Sequence, residues 1–240
     1  MNIKKELTAL RDLLHNRILV SPSVEADVVR DFHKLYYNSY LFSKGFANTK
    51  WLGISTLKCP LDLWLYQELI VDLRPHVLIE TGTCNGGSAL FLASMCDLVG
   101  NGRVITVDVE HREGRPTHTR IRYVHGSSVD DKIIAEIRKS IQPDEKVIVF
   151  LDSNHKKDHV LEELKLYRDF VTPGSYIIVE DTNINGHPVY PDFGPGPMEA
   201  IEEFLNMDSS FQIDTDKEKF YLTFNPRGFL FRKPRQSSAE

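Results

Sequence analysis

Two short runs group side chains suited to acid–base and metal chemistry in this 240-residue chain: Leu151-Asp152-Ser153-Asn154-His155 and Val179-Glu180-Asp181-Thr182. Each closes an apolar segment, so Asp152, Glu180 and Asp181 are expected at the tips of neighbouring strands, crowding their charges into one crevice. Such crowding is costly unless protons or a cation neutralise it. A hard divalent ion with oxygen ligands, most economically Mg²⁺, meets that need. The competing reading pairs the acids with Lys156, Lys157 or Arg168, or uses them to cap helices. His155 stands three residues after Asp152, and an imidazole exchanges protons near neutral pH. His159, one helical turn later, reads as a supporting residue.

A third run, Glu80-Thr81-Gly82-Thr83-Cys84-Asn85-Gly86-Gly87-Ser88, offers a different chemistry. Its glycines let the backbone approach a ligand, and the helix that follows presents free N–H groups to a negative group. Gly82 and Gly86 form GxxxG, not the GxGxxG that seats a dinucleotide pyrophosphate. An acid followed by GxxxG is the pattern of methyltransferases that use S-adenosylmethionine (SAM). The candidate cofactor residues are Glu80, Gly82, Thr83, Asn85, Gly86 and Ser88. Asp108, ending the next strand, can accept two ribose hydroxyls. Ser127 and Ser128 follow Gly126 beside the expected adenine edge, and Asp152 borders the same site. A plain strand-to-helix turn and ordinary helix capping are the alternative uses of these residues.

The elements that must hold these residues alternate from residue 76 onward. Strands are expected at 76–80, Arg103–Asp108, 121–124, Val147–Leu151 and Tyr176–Val179, with helices at 88–98, 130–141, 158–170 and 198–207. Late strands are expected at Phe211–Ile213, 220–224 and 229–231. Continuously apolar strands joined by crossover helices predict a doubly wound, mostly parallel α/β sheet, with ligands beyond the carboxyl ends of its strands. Residues 1–70 read as an N-terminal helical cap bearing Leu7, Leu10, Leu13 and Leu14 at helical spacing, and residues 71–240 as the cofactor-binding domain. Tyr36, Tyr37, Tyr40, Phe42, Phe46 and Trp51 form an aromatic stretch laid against that domain. The Gly/Pro-rich loop 183–197 follows the acids as a lid or substrate wall, with His187, Tyr190 and Asp192 as substrate-contact candidates.

Taken together, these motifs resemble the metal-dependent class I O-methyltransferases. The longer runs Leu151–Leu164 and Val179–Pro188 resemble, within them, the cephalosporin hydroxylase / rhamnosyl O-methyltransferase family. The resemblance covers roughly residues 50–232. It implies a class I methyltransferase fold, Mg²⁺ held by Asp152, Glu180 and Asp181, His155 as general base, and methyl transfer from SAM to a hydroxyl of a sugar or other natural product. Catechol O-methyltransferases, the familiar members of the wider class, carry lysine at the base position and Asp-Asn as the last two ligands, so this chain departs from them. Two other classes are weighed beside it: a SAM-binding component of a cephalosporin-type hydroxylation or methoxylation system, and a nicotinamide-dependent oxidoreductase, which the missing GxGxxG disfavours.

Composition narrows the setting. The chain is 41% hydrophobic and 26% charged with a net charge of −5, an ordinary globular balance without a field that attracts nucleic acid. The longest apolar run, Val147–Leu151, is far shorter than a membrane span, and the first twenty residues lack a secretory pattern. Three cysteines without a CxxC pair favour a reducing compartment, so a cytoplasmic protein is expected, acting on a small hydroxylated molecule and assembled as a homo-oligomer.

Overall fold

The structure, a computed structural model, describes residues 3–19 and 21–234. The chain opens with α1 (Ile3–Leu19) and α2 (Pro22–Asn38), and then a small hairpin of β1 (Lys50–Trp51) and β2 (Ile54–Ser55). Next come α3 (Pro60–Leu73), β3 (Val77–Thr81), α4 (Gly87–Val99), β4 (Arg103–Asp108), β5 (Ile121–His125) and α5 (Asp131–Lys139). The remainder is β6 (Val147–Leu151), α6 (Lys157–Tyr167), β7 (Tyr176–Val179), α7 (Pro197–Met207), β8 (Phe211–Ile213) and β9 (Phe229–Arg232). Seven strands form one sheet in the order β5-β4-β3-β6-β7-β9-β8. The pairs from β5 through β7 are parallel, and β9 joins β7 and β8 antiparallel. The expected doubly wound, mostly parallel fold is therefore present. No helix among the described residues is long and apolar enough to cross a membrane.

Side chains alternate across a strand, so parity decides which layer each one meets. Val77, Ile79, Val147, Val149, Ile177 and Val179 pack on one face with Ile134, Ile137, Leu164, Ile201 and Phe204 of α5, α6 and α7. Leu78, Ile148, Phe150 and Ile178 pack on the other with Leu65, Tyr66, Leu69 and Ile70 of α3 and Phe91 and Leu92 of α4. Both faces are covered, which is why β3 and β6 are buried along their whole length. Part of the aromatic stretch packs on a later segment: Tyr36, Tyr37 and Phe46 surround Phe224 with ring centroids 5.1–6.0 Å away. The α1 leucines 7, 10, 13 and 14 are helical as expected but exposed.

The strand expected at 220–224 does not form. The backbone groups of Phe224 are taken by other partners instead: its N donates to Oδ2 of Asp62 in the first turn of α3 at 2.9 Å, and its O accepts from Asn183 N at 3.2 Å. Its aromatic and apolar residues read as a strand, but Leu222, Thr223 and Phe224 are buried as a strut that holds the loop after β7.

Asp62 is 2% exposed, and its Oδ1 has no partner, so burial pushes its carboxyl up to about 7 against the opposing hydrogen bonds from Thr223 and Phe224. With the folded value above the ordinary 3.8, the folded chain binds the extra proton between about pH 4 and 7, and stability falls as pH rises through that window. Asp62→Asn keeps the Phe224 contact without the charge. It should flatten that slope and raise the pH 8 melting temperature by about 2–4 °C for each kcal/mol recovered. Melts at pH 5 and pH 8 check this, and a pH slope unchanged by the substitution would exclude Asp62 as its source.

Candidate active site

Strand register sets the site. Thr81 pairs with Val107 on one side and Leu151 on the other, and Leu151 pairs with Val179. One residue further on, Asp108, Gly82, Asp152 and Glu180 therefore stand in a row at the carboxyl edge. The chain order reverses between β3 and β6, the switch point where open α/β sheets bind ligands. A cavity of about 670 Å³ opens there. Its wall includes Gly82, Thr83, Asn85, Ser88, Asp108, Ser127, Ser128, Asp152, His155 and Asp181.

Gly82 is required by the protein itself. At φ +87°, a Cβ here would sit 1.9 Å from the carbonyl oxygen of Asp152, and one on Gly87 would sit 2.2 Å from that of Ser55. These glycines let β3 run into α4 beneath the β6 tip and against the hairpin, so the close approach is to backbone. Gly86, at φ +78°, caps α4. Glu80 lies deeper than a ligand contact would require: it is 1% exposed, accepts from Thr106 Oγ1 at 2.5 Å, and is not on the cavity wall. Burial raises its carboxyl to about 7, against the opposing charge of Lys58.

Asp108 is partly engaged. Its Oδ2 accepts from Cys84 N and Arg115 Nη2, each at 2.8 Å, and its Oδ1 from Glu110 N at 2.9 Å. Oδ1 is the freer oxygen for a ligand hydroxyl.

Asp152, His155 and Asp181 offer ligand atoms that all lie within 4.8 Å of one another, an arrangement able to hold a cation. His155 Nε2 is 3.3 Å from Asp181 Oδ2. Asp181 turns into the cavity because its backbone is left-handed, φ +53°, and its N–H donates to Asn225 Oδ1 at 3.1 Å. Asn225 is fixed in turn by Tyr66 Oη at 2.7 Å.

Glu180 parts from this group. It is 5% exposed, is not on the cavity wall, and meets Lys58 Nζ at 2.5 Å; the same ammonium also pairs with Asp152 Oδ2. Lys58 was missed in the sequence, where Lys156, Lys157 and Arg168 were the partners considered. Parity is the signal that could have found the need for it: Glu80, Asp152 and Glu180 share the parity of Leu78, Phe150 and Ile178, so they face the α3/α4 layer that begins at Lys58. Burial alone would lower the Lys58 value, but the charges of Asp152 and Glu180 outweigh it and hold the amine protonated.

His159 supports the wall. Its Nε2 lies 3.2 Å from Ser128 Oγ and 3.1 Å from Ser153 Oγ, and Ser153 Oγ donates to the buried Glu163 at 2.7 Å. The substrate candidates of loop 183–197 are not brought to the cavity: His187 Nε2 meets Glu199 Oε1 at 2.8 Å, and neither Tyr190 nor Asp192 lines the wall. Phe193 of that loop does, with Phe46 and Leu57 from the cap side.

The strand order, the GxxxG turn at the switch point and the acid ending β4 define a class I, SAM-dependent methyltransferase. The family model "Rhamnosyl O-methyltransferase/CmcI" matches residues 43–233, and the chain belongs to that family. A rhamnosyl O-methyltransferase of Mycobacterium bovis is 40% identical over 213 residues, covering 85% of each chain. One from Mycobacterium leprae is 38% identical over 213 residues, covering 86% of this chain and 91% of the relative. A solved CmcI structure in its Mg-SAM form superposes with a TM-score of 0.60 at 20% identity, covering 79% of this chain and 78% of that one.

Proposed function

We propose that this protein moves the methyl group of SAM to a hydroxyl of a deoxyhexose or a similarly hydroxylated metabolite in a divalent-cation-dependent reaction. The observation that carries the reading is the convergence of Asp152, His155 and Asp181 on the cavity that begins at the Gly82 turn. The rhamnosyl activity of the mycobacterial relatives supports a sugar acceptor.

The residues divide by position. Asp108 Oδ1 would accept from the ribose hydroxyls of SAM at the β3 and β4 tips, and Ser127 and Ser128 would border its adenine. Asp152 and Asp181 are the hard oxygen donors that would hold Mg²⁺, which matches their chemistry, and the bound ion would lower the pKa of an alcohol. Phe46, Leu57 and Phe193 form the apolar side on which a sugar ring packs and from which water is excluded. With SAM bound, the C–O bond to the acceptor would form as the C–S bond breaks, and His155 would take the acceptor's proton.

Incubation with labelled SAM, Mg²⁺ and a panel of rhamnosylated and other glycosylated acceptors should give labelled O-methyl sugar. Methylation of none of the sugars, but of a non-sugar hydroxyl, would reject the acceptor class. By calorimetry, Asp108→Ala should weaken SAM binding by about 2 kcal/mol, roughly 30-fold, because a charge-assisted contact is lost. Unchanged affinity would remove Asp108 from the site.

A further inference from the structure

Lys58 places a full positive charge where two of the site's carboxylates meet. Its side chain is 6% exposed, it bonds Glu180 at 2.5 Å and pairs with Asp152, and Glu80 contributes further attraction. The placement is built into the cap. Lys58 N donates to Thr49 Oγ1 at 3.1 Å, Thr56 N to Thr49 O at 2.9 Å, and the next residue, Cys59, is the N-cap of α3. An ammonium so anchored is not a side chain that happened to fold inward. Burying a lysine forfeits its hydration and most of its rotamer freedom, a cost offset only by the acids around it.

Those acids are also the groups a cation would seek. Asp152 is shared between Lys58 and the cavity, whereas Glu180 is drawn out of the cavity wall altogether. Among the described residues, Lys58 is the only ion-pair partner of either acid. We propose that Lys58 is a positioning residue that acts as a resident counter-cation: it keeps Asp152 and Glu180 assembled and, by competing for them, sets how tightly the site takes a divalent ion. The inference rests on the metal-binding reading given under the proposed function. It adds that the affinity is held down by a lysine contributed from the segment before α3, so that the ion exchanges readily.

Like charge near a bound ion weakens it, and an acid released from an ammonium becomes an additional donor. Lys58→Met should therefore lower the dissociation constant for Mn²⁺, read by titration calorimetry or by the loss of free-ion electron paramagnetic resonance signal, at least tenfold. General structural damage would weaken binding, so tightening is a readout that a merely structural role does not produce. An unchanged or raised dissociation constant would overturn the proposal. Should the single variant not fold, Lys58→Gln combined with Glu180→Gln removes one charge of each sign and leaves an amide pair in their place. Because Asp152 is still released, Mn²⁺ binding tighter than wild type is then expected, whereas unchanged or weaker binding would show that Lys58 does not govern the ion. Failure of the wild-type chain to bind Mn²⁺ at all would refute the metal reading and the inference with it; binding by the wild type with no response to Lys58→Met would refute the inference alone.

Discussion

Replacing Asp181 with alanine should abolish methyl transfer while leaving SAM affinity within a few-fold of wild type. Asp181 is a cleaner probe than Asp152 because Asp152 also pairs with the buried Lys58, and its loss would leave that ammonium short of a partner. Asp181 meets His155 on the cavity side, and its backbone is held by Asn225 whatever its side chain. The carboxylate itself is thus what the substitution removes. A cation that helps ionise an alcohol supplies several kcal/mol of transition-state stabilisation, equivalent to a loss of roughly 10³-fold or more in kcat. Cofactor binding depends on the β3 and β4 tips and should survive. Turnover by the wild type in excess EDTA would sink the metal-dependent mechanism, and strong loss of SAM binding in the Asp181 variant would show that the two sites are not separate.

His155→Ala should lower kcat by about 10²- to 10⁴-fold, the range for a positioned general base, with SAM and Mn²⁺ affinities nearly unchanged. The two roles open to this residue separate cleanly. His155 contributes a ligand atom to the same cluster as Asp152 and Asp181, so it could hold the ion instead of taking the proton. In that case the variant should bind Mn²⁺ about 10- to 100-fold more weakly, and excess metal should restore the rate. Rescue by metal is the result that refutes the base assignment; a rate that stays low at saturating metal and loses its acidic pH limb upholds it.

Much of this site was legible because parallel strands buried on both faces announce themselves as unbroken apolar runs, and ligands gather where such runs end. Val147–Leu151 and Tyr176–Val179 have the bounds expected of them, and Asp108, Asp152 and Asp181 reach the cavity as their places after the strands require. What escaped was decided by pairing across long sequence distances. Lys58 precedes its partner Asp152 by 94 residues in a segment with no regular period, so no local pattern links the two. Glu180 and Asp181 are adjacent, yet strand parity and the left-handed turn at Asp181 send them to different surroundings. The 220–224 segment is rich in the aromatic and apolar residues of a strand, but the side chain of Asp62, more than 150 positions earlier, claims the Phe224 N–H. Loop 183–197 was correctly placed beside the site, while which of its side chains faces inward depended on the Glu199 contact that holds His187 away.

The reach of Lys58 has a consequence for biogenesis. Its contact with Glu180 spans 122 residues. At a synthesis rate of about 5–20 residues per second, on the order of 6–24 s passes between the emergence of the lysine and that of its carboxylate partner. The central strand β3 must likewise wait about 70 residues for β6, its whole length apolar or destined for burial. Until β6 emerges, β3 can pair only with β4 and its other edge stays open, while the ammonium lacks both of its ion-pair partners. High contact order of this kind slows folding and exposes intermediates to aggregation. Yield in a heterologous host should therefore respond to slower translation and to chaperone supply more than to any change in the finished protein's stability.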